Sequence, residues 1–186
     1  MRLRAALWVL PITLLLGALA SVKAQAPAAP HRATAAHAAT SKSAELPLID
    51  LDGYKKILAT YRGKPLLVTF WATWCEPCRY EYPTIVDLAK EYKAKGLAVF
   101  GVSFDNNADM HLVRNFLAKN NPDFPNYRQN PDIDIDAFYV GVRPQWTGTM
   151  PETLFYARDG RIVAHYEGEQ TRADFVKAIE AALAAH

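Results

Sequence analysis

The sequence predicts an α/β fold: a central mixed sheet, parallel at first and closed by an antiparallel hairpin, with helices on both faces. Three observations predict it. Leu66 to Phe70 and Leu97 to Phe104 are continuous apolar runs without polar alternation, the pattern of strands buried on both faces. Each run leads into a segment of helical period. Finally, Thr153 to Ala157 and Arg161 to Tyr166 flank Arg158-Asp159-Gly160, a hairpin signal.

Taken in order, Asp52 is expected to cap a short helix that runs through Tyr61 and ends at Gly63. The strand from Leu66 follows Pro65. A long helix is expected from about Glu76 to Lys95, stopped by Gly96 and kinked at Pro83, which cannot complete the helical hydrogen bonding. After the second buried strand, Ala108 to Lys119 reads as a helix with Leu112, Val113, Phe116 and Leu117 on one face. Asn120 to Gln145 is rich in Pro, Asn and Asp and offers one short helix near Ile135 to Val140. Arg172 to Ala185 closes the chain as an amphipathic helix. No internal repeat is visible, and about 140 residues suffice for one core.

The first 45 residues lie outside that pattern. Met1 to Arg4 carries two arginines, Ala5 to Ala20 is largely apolar, and Val22-Lys23-Ala24 has the small-x-small form of a cleavage site. Residues 1–24 therefore read as a secretory signal peptide, or as an anchor if uncleaved. The apolar stretch, interrupted by Pro11 and Thr13, is shorter than the ~20 residues a membrane span prefers. Residues 25–45 hold nine alanines with Pro27 and Pro30 and read as a linker without a fixed fold; His31 and His37 within it read as incidental. Residues 46–186 form the predicted domain. The formal charge of +2 becomes −1 once Arg2, Arg4 and Lys23 leave with the signal segment. With no basic stripe, a nucleic-acid partner is not expected.

The chain has two cysteines, in Cys75-Glu76-Pro77-Cys78, where a buried strand turns into a helix. The free N–H groups and positive dipole end of a helix stabilise a thiolate, which makes it a nucleophile near neutral pH. A second thiol three positions on can close a small ring and release a bound partner. Pro77 in the first turn sacrifices no helical hydrogen bond. A structural disulfide would close too small a loop to constrain the unfolded chain much. Zinc would need further ligands, and covalent haem attachment would need His where Arg79 stands. A redox-active pair in an exported protein is the leading reading.

Phe70-Trp71-Ala72-Thr73-Trp74-Cys75-Glu76-Pro77-Cys78 resembles the active-site segment of thioredoxin-fold proteins, in particular the exported TlpA/ResA-like thiol-disulfide oxidoreductases. Pro83 and the segment Thr149-Met150-Pro151-Glu152-Thr153 match further motifs of that family. The resemblance, which spans residues 46–186, implies a thioredoxin-like fold and a redox-active Cys75–Cys78 disulfide. It also implies an exposed nucleophile at Cys75, a buried resolving thiol at Cys78 and a cis-proline at Pro151. Met150, where Thr, Val or Ile is more usual, would turn its backbone toward the substrate. Glu81, on the helical face of Cys78, would tune the cysteine pKa values and move protons. Thr69 stands where thioredoxin has a buried, ionisable aspartate, so Glu81 is the better candidate for that task.

Trp74, Glu76 and Pro77 are expected beside the substrate, Trp71 in the core, and Trp146 with the Tyr127–Gln145 loop on a rim near Pro151. His165 is expected to be a packed or surface residue. The reading that follows is a protein-disulfide reductase of periplasmic or membrane-tethered location. Its partners would be disulfide-containing clients, with cytochrome c maturation as one setting, and a membrane dithiol as electron donor. No cofactor or metal is expected, and a monomer is. A disulfide-donating oxidase and a copper-binding thiol chaperone are the alternatives, and a thiol peroxidase is disfavoured.

Overall fold

A computed structural model describes residues 46–185; the signal peptide and linker expected over residues 1–45 lie outside the described residues. Among the described residues, no helix is long and apolar enough to cross a membrane. Six strands form one sheet: β1 (Leu48–Ile49), β2 (Leu66–Trp71), β3 (Ala98–Ser103), β4 (Asn126–Gln129), β5 (Glu152–Tyr156) and β6 (Ile162–Glu167). Their spatial order is β1-β4-β3-β2-β5-β6. The pairs β1–β4, β4–β3 and β3–β2 are parallel, whereas β2–β5 and β5–β6 are antiparallel. The mixed sheet matches the expectation, with two additions. The two-residue β1 and the polar β4, Asn-Tyr-Arg-Gln, were not anticipated because neither carries an apolar run.

Among the described residues five α-helices cover the sheet: α1 (Leu51–Thr60), α2 (Glu76–Tyr92), α3 (Met110–Asn120), α4 (Ile135–Val142) and α5 (Arg172–Ala184). The cap of α1 is Asp50 rather than Asp52: its extended backbone lets Oδ1 accept the Gly53 N–H at 2.7 Å. The long helix α2 ends at Tyr92, and a 3₁₀ turn, Lys93–Lys95, leads to Gly96 in the left-handed region. On α3 the buried residues are Met110 and Val113, while Leu112, placed on the apolar face by its spacing, is exposed. Thr171 and Asp174 cap α5 reciprocally.

The period-two alternation of β2 explains why, Thr69 apart, both of its faces are apolar. Leu66, Val68 and Phe70 enter a layer with Tyr54 of α1 and Phe138 of α4. Leu67 points the other way, into a layer with Ile85 and Leu88 of α2 and Phe175 and Ile179 of α5. A third cluster at the end of β2 joins Trp71, Tyr82 and Val113 to both cysteines.

Trp146 corrects the rim expectation, for it is only 1% exposed. Its ring lies 4.7 Å from both Phe70 and Tyr139, and its Nε1–H donates to the Thr149 carbonyl at 2.8 Å. The indole thus pins the 143–151 loop to the core. Trp146→Ala is expected to lower stability by about 3–5 kcal/mol, as other large-to-small aromatic changes do; guanidinium unfolding measures it.

Candidate active site

Strand β2 ends at Trp71, and four residues later Cys75 caps α2 in extended conformation. The Cys78 N–H lies 3.3 Å from Cys75 Sγ, so the helix terminus directs a donor at that sulfur. Glu76 and Pro77 occupy the first turn, where the missing proline N–H leaves no carbonyl unpaired. Pro83 lies within α2 on its exposed face.

The cysteines are joined by a disulfide with Cα atoms 5.3 Å apart. Cys75 is less exposed than expected: 6%, against 1% for Cys78. Packing of the surrounding cluster, with Met150 against it, covers most of the Cys75 side chain. The open surface beside it belongs to Trp74, 59% exposed, and to Glu76 and Tyr80, whose hydroxyl donates to Glu76 Oε1 at 3.3 Å.

The 143–151 loop supplies the other wall. The Met150–Pro151 peptide bond is cis, and the Pro151 carbonyl accepts the Gly168 N–H at 2.8 Å. Because β2 and β5 are antiparallel, with Phe70 opposite Glu152, this loop arrives at the same sheet end as Cys75.

Glu81 lies one turn beyond Cys78 on the buried face of α2 and is 4% exposed. Its Oε2 accepts the Gln170 N–H at 3.3 Å, and among the described residues it makes no ion pair. Burial pushes its pKa up to about 8; the Gln170 hydrogen bond opposes this and the Glu169 charge reinforces it. The hydroxyls of Thr69 and Thr153, directly opposite each other on β2 and β5, are buried and have no hydrogen-bond partner among the described residues.

Two polar groups escaped the sequence reading. Arg143 Nε donates to Glu152 Oε1 at 2.9 Å, and its Nη2 donates to Glu167. The fully buried Glu152 is raised to about pKa 7 by desolvation, with Arg143 opposing and Glu167 adding to the shift. His165 Nδ1, on an exposed residue, lies 3.8 Å from Glu152 Oε1. The donor atoms of Glu152, His165 and Glu167 fall within 4.8 Å of one another, but the Arg143 guanidinium already bridges both carboxylates. We read this as an ion network that ties the loop to the hairpin. The second group is Asp105, just past the carboxyl end of β3, the edge where open α/β sheets place their sites. That position was its only sequence signal.

A disulfide capping a helix at the end of a central strand, beside a cis-proline loop, defines the thioredoxin-fold class. Comparison with known proteins narrows the class. The AhpC/TSA family profile matches residues 36–165. ResA, a thiol-disulfide oxidoreductase of Bacillus thuringiensis (strain Al Hakam), is 32% identical over 123 residues, 66% of each chain. ResA of Geobacillus kaustophilus is 29% identical over 141 residues, 75% of each chain. The crystal structure of a thiol:disulfide interchange protein from Chlorobium tepidum TLS superposes with a TM-score of 0.58 at 25% identity. That match covers 67% of this chain and 83% of the other. The match to the Bacillus relative thus spans about two thirds of that protein's length. The chain belongs to the thioredoxin-fold, ResA/DsbE-like family of thiol-disulfide oxidoreductases.

Proposed function

We propose that this protein is an exported reductase of protein disulfides. The observation that carries the reading is the helix-capping Cys75–Cys78 pair with the buried, uncompensated Glu81 one turn further on. In the reduced state the Cys75 thiolate attacks one sulfur of a client disulfide. A mixed disulfide forms and a client thiolate leaves. Cys78 then loses its proton and attacks Cys75 Sγ, which closes the Cys75–Cys78 bond and frees the second client thiol. Two electrons pass to the client, and a membrane dithiol carrier restores them.

A carboxyl group with a pKa of about 8 exists in both forms near neutral pH. It can accept the Cys78 proton when ionised and return one to a departing thiolate when protonated. Trp74, Glu76, Pro77 and Met150 form the surface an extended client segment meets, with cis-Pro151 setting the course of the Met150 backbone. The ResA relatives support the exchange chemistry, and the signal-like residues 1–24 support export.

Equilibration with glutathione or dithiothreitol buffers, paired with an insulin-reduction assay, tests the direction. A potential near about −270 mV or below, with insulin reduced, is expected; a value near about −120 mV would mark a disulfide donor and reverse the proposal.

A further inference from the structure

Asp105 is 2% exposed, and among the described residues no lysine, arginine or histidine pairs with it. Its hydrogen bonds come from the loop leading to Cys75 and from the strand it follows. The Thr73 N–H lies 3.1 Å from Oδ1 and 3.0 Å from Oδ2, and the Thr73 hydroxyl also donates to Oδ1. The Ser103 hydroxyl donates to Oδ2 at 2.7 Å, while the Asp105 N–H donates back to Ser103 Oγ at 3.1 Å. Every group reaching the two oxygens is a donor, the set an ionised carboxylate requires. Backbone bonds extend the connection: Phe104 N–H to the Trp71 carbonyl at 2.8 Å, and Cys75 N–H to the Ala72 carbonyl at 3.3 Å.

Holding a three-residue turn needs no charge; a serine or asparagine could receive the Thr73 N–H. Among the described residues no cation touches this carboxylate, since the buried Arg128, opposite Ser103 on β4, gives its Nη1 to Asn107 Oδ1 instead; a carboxylate so placed is a costly way to do it. Its position gives the charge a use. Thr73 and Cys75 are two peptide units apart, no more than about 7 Å between Cα atoms, and buried charges are weakly screened. Thr69 brings no charge beneath the site. The other carboxylates of the first α2 turns are Glu76, which is exposed, and Glu81, which is buried; Arg79 is exposed.

We propose that Asp105 is a positioning residue with an electrostatic purpose. It fixes the loop that presents Cys75 and holds a negative charge against that loop two residues before the sulfur, which opposes the thiolate and biases the pair toward the disulfide. The proposal rests on the reductase reading and deepens it, since a dithiol whose disulfide is favoured is the stronger electron donor.

Asp105→Asn keeps an acceptor for the Thr73 N–H and removes the charge; Asp105→Ser does the same with a smaller group. Two readouts need no client: the pH midpoint of Cys75 alkylation by iodoacetamide in the reduced protein, and the equilibrium with glutathione. Both variants are expected to lower the alkylation midpoint and shift the glutathione equilibrium at least tenfold toward the dithiol, about 30 mV less reducing. An unchanged midpoint and equilibrium in either folded variant would overturn the proposal. Failure of the wild-type protein to reduce insulin would count against the reductase reading alone.

Discussion

Cys78→Ser is expected to abolish turnover and convert the protein into a trap that holds clients covalently. Cys75 keeps its helix-terminal position, so the first attack proceeds and forms the mixed disulfide. The resolving thiol is gone, and the serine hydroxyl cannot replace it, because disulfide exchange requires a thiolate. Cys78 is the more deeply buried of the pair, so clients have little direct access to it. Cys75→Ser should therefore form no adduct at all. Non-reducing electrophoresis and intact mass after incubation with a disulfide-bonded peptide measure both outcomes. Adducts formed by the Cys75→Ser protein in place of Cys78→Ser would exchange the two roles.

Glu81→Gln should change both pH-activity and pH-stability behaviour, each with a definite sign. In the folded protein the carboxyl is raised from the ordinary value of 4.5 to about 8, so the native state retains a proton the unfolded chain has lost. Its contribution to stability is complete below about pH 4.5 and is lost as pH rises through about 8. The slope reaches about 1.4 kcal/mol per pH unit. Glutamine carries no such proton. Relative to wild type, the variant should gain stability from about pH 4.5 to about pH 8 and level off above that, as read by urea unfolding of the oxidised proteins. Glu152, raised to about 7, contributes the same sign in both proteins and cancels in the difference. In the reductase assay the inflection near pH 8 should vanish from the rate profile. An unchanged profile would remove Glu81 from the proton transfers and leave it a stability role only.

Part of this architecture was legible because burial is written in the composition of the strands it serves. Leu66–Trp71 and Ala98–Ser103 are apolar on both faces since helices cover both. The cysteine pair was legible through its spacing and its place between strand and helix. Strand β4 was not, because its buried side chains are polar and two of them, Asn126 and Arg128, find partners far away in the chain. Asn126 Oδ1 accepts from Trp71 Nε1 at 3.2 Å and from the Tyr82 hydroxyl at 2.9 Å, and Arg128 donates to Asn107 Oδ1 at 2.7 Å. Such residues look like a loop until the fold brings their partners up. Trp146 and Asp105 were illegible for the same reason. In a segment rich in Pro and Asn, nothing local separates an indole that will be buried from one left on the rim. The sequence of Asp105 likewise holds no trace of Thr73, 32 positions earlier.

The antiparallel register of β2 and β5, with Phe70 opposite Glu152, separates two kinds of freedom in this molecule. The sulfur chemistry is anchored on the central strands, whereas the wall proposed to meet the client is delivered by a loop spliced between α4 and β5. Lengthening or rewriting residues 144–149 around the Trp146 anchor would alter the shape offered to a client without displacing either cysteine. The fold therefore behaves as a fixed electrode with an interchangeable socket. Clients could diverge between relatives through the socket while the electrode stays as it is.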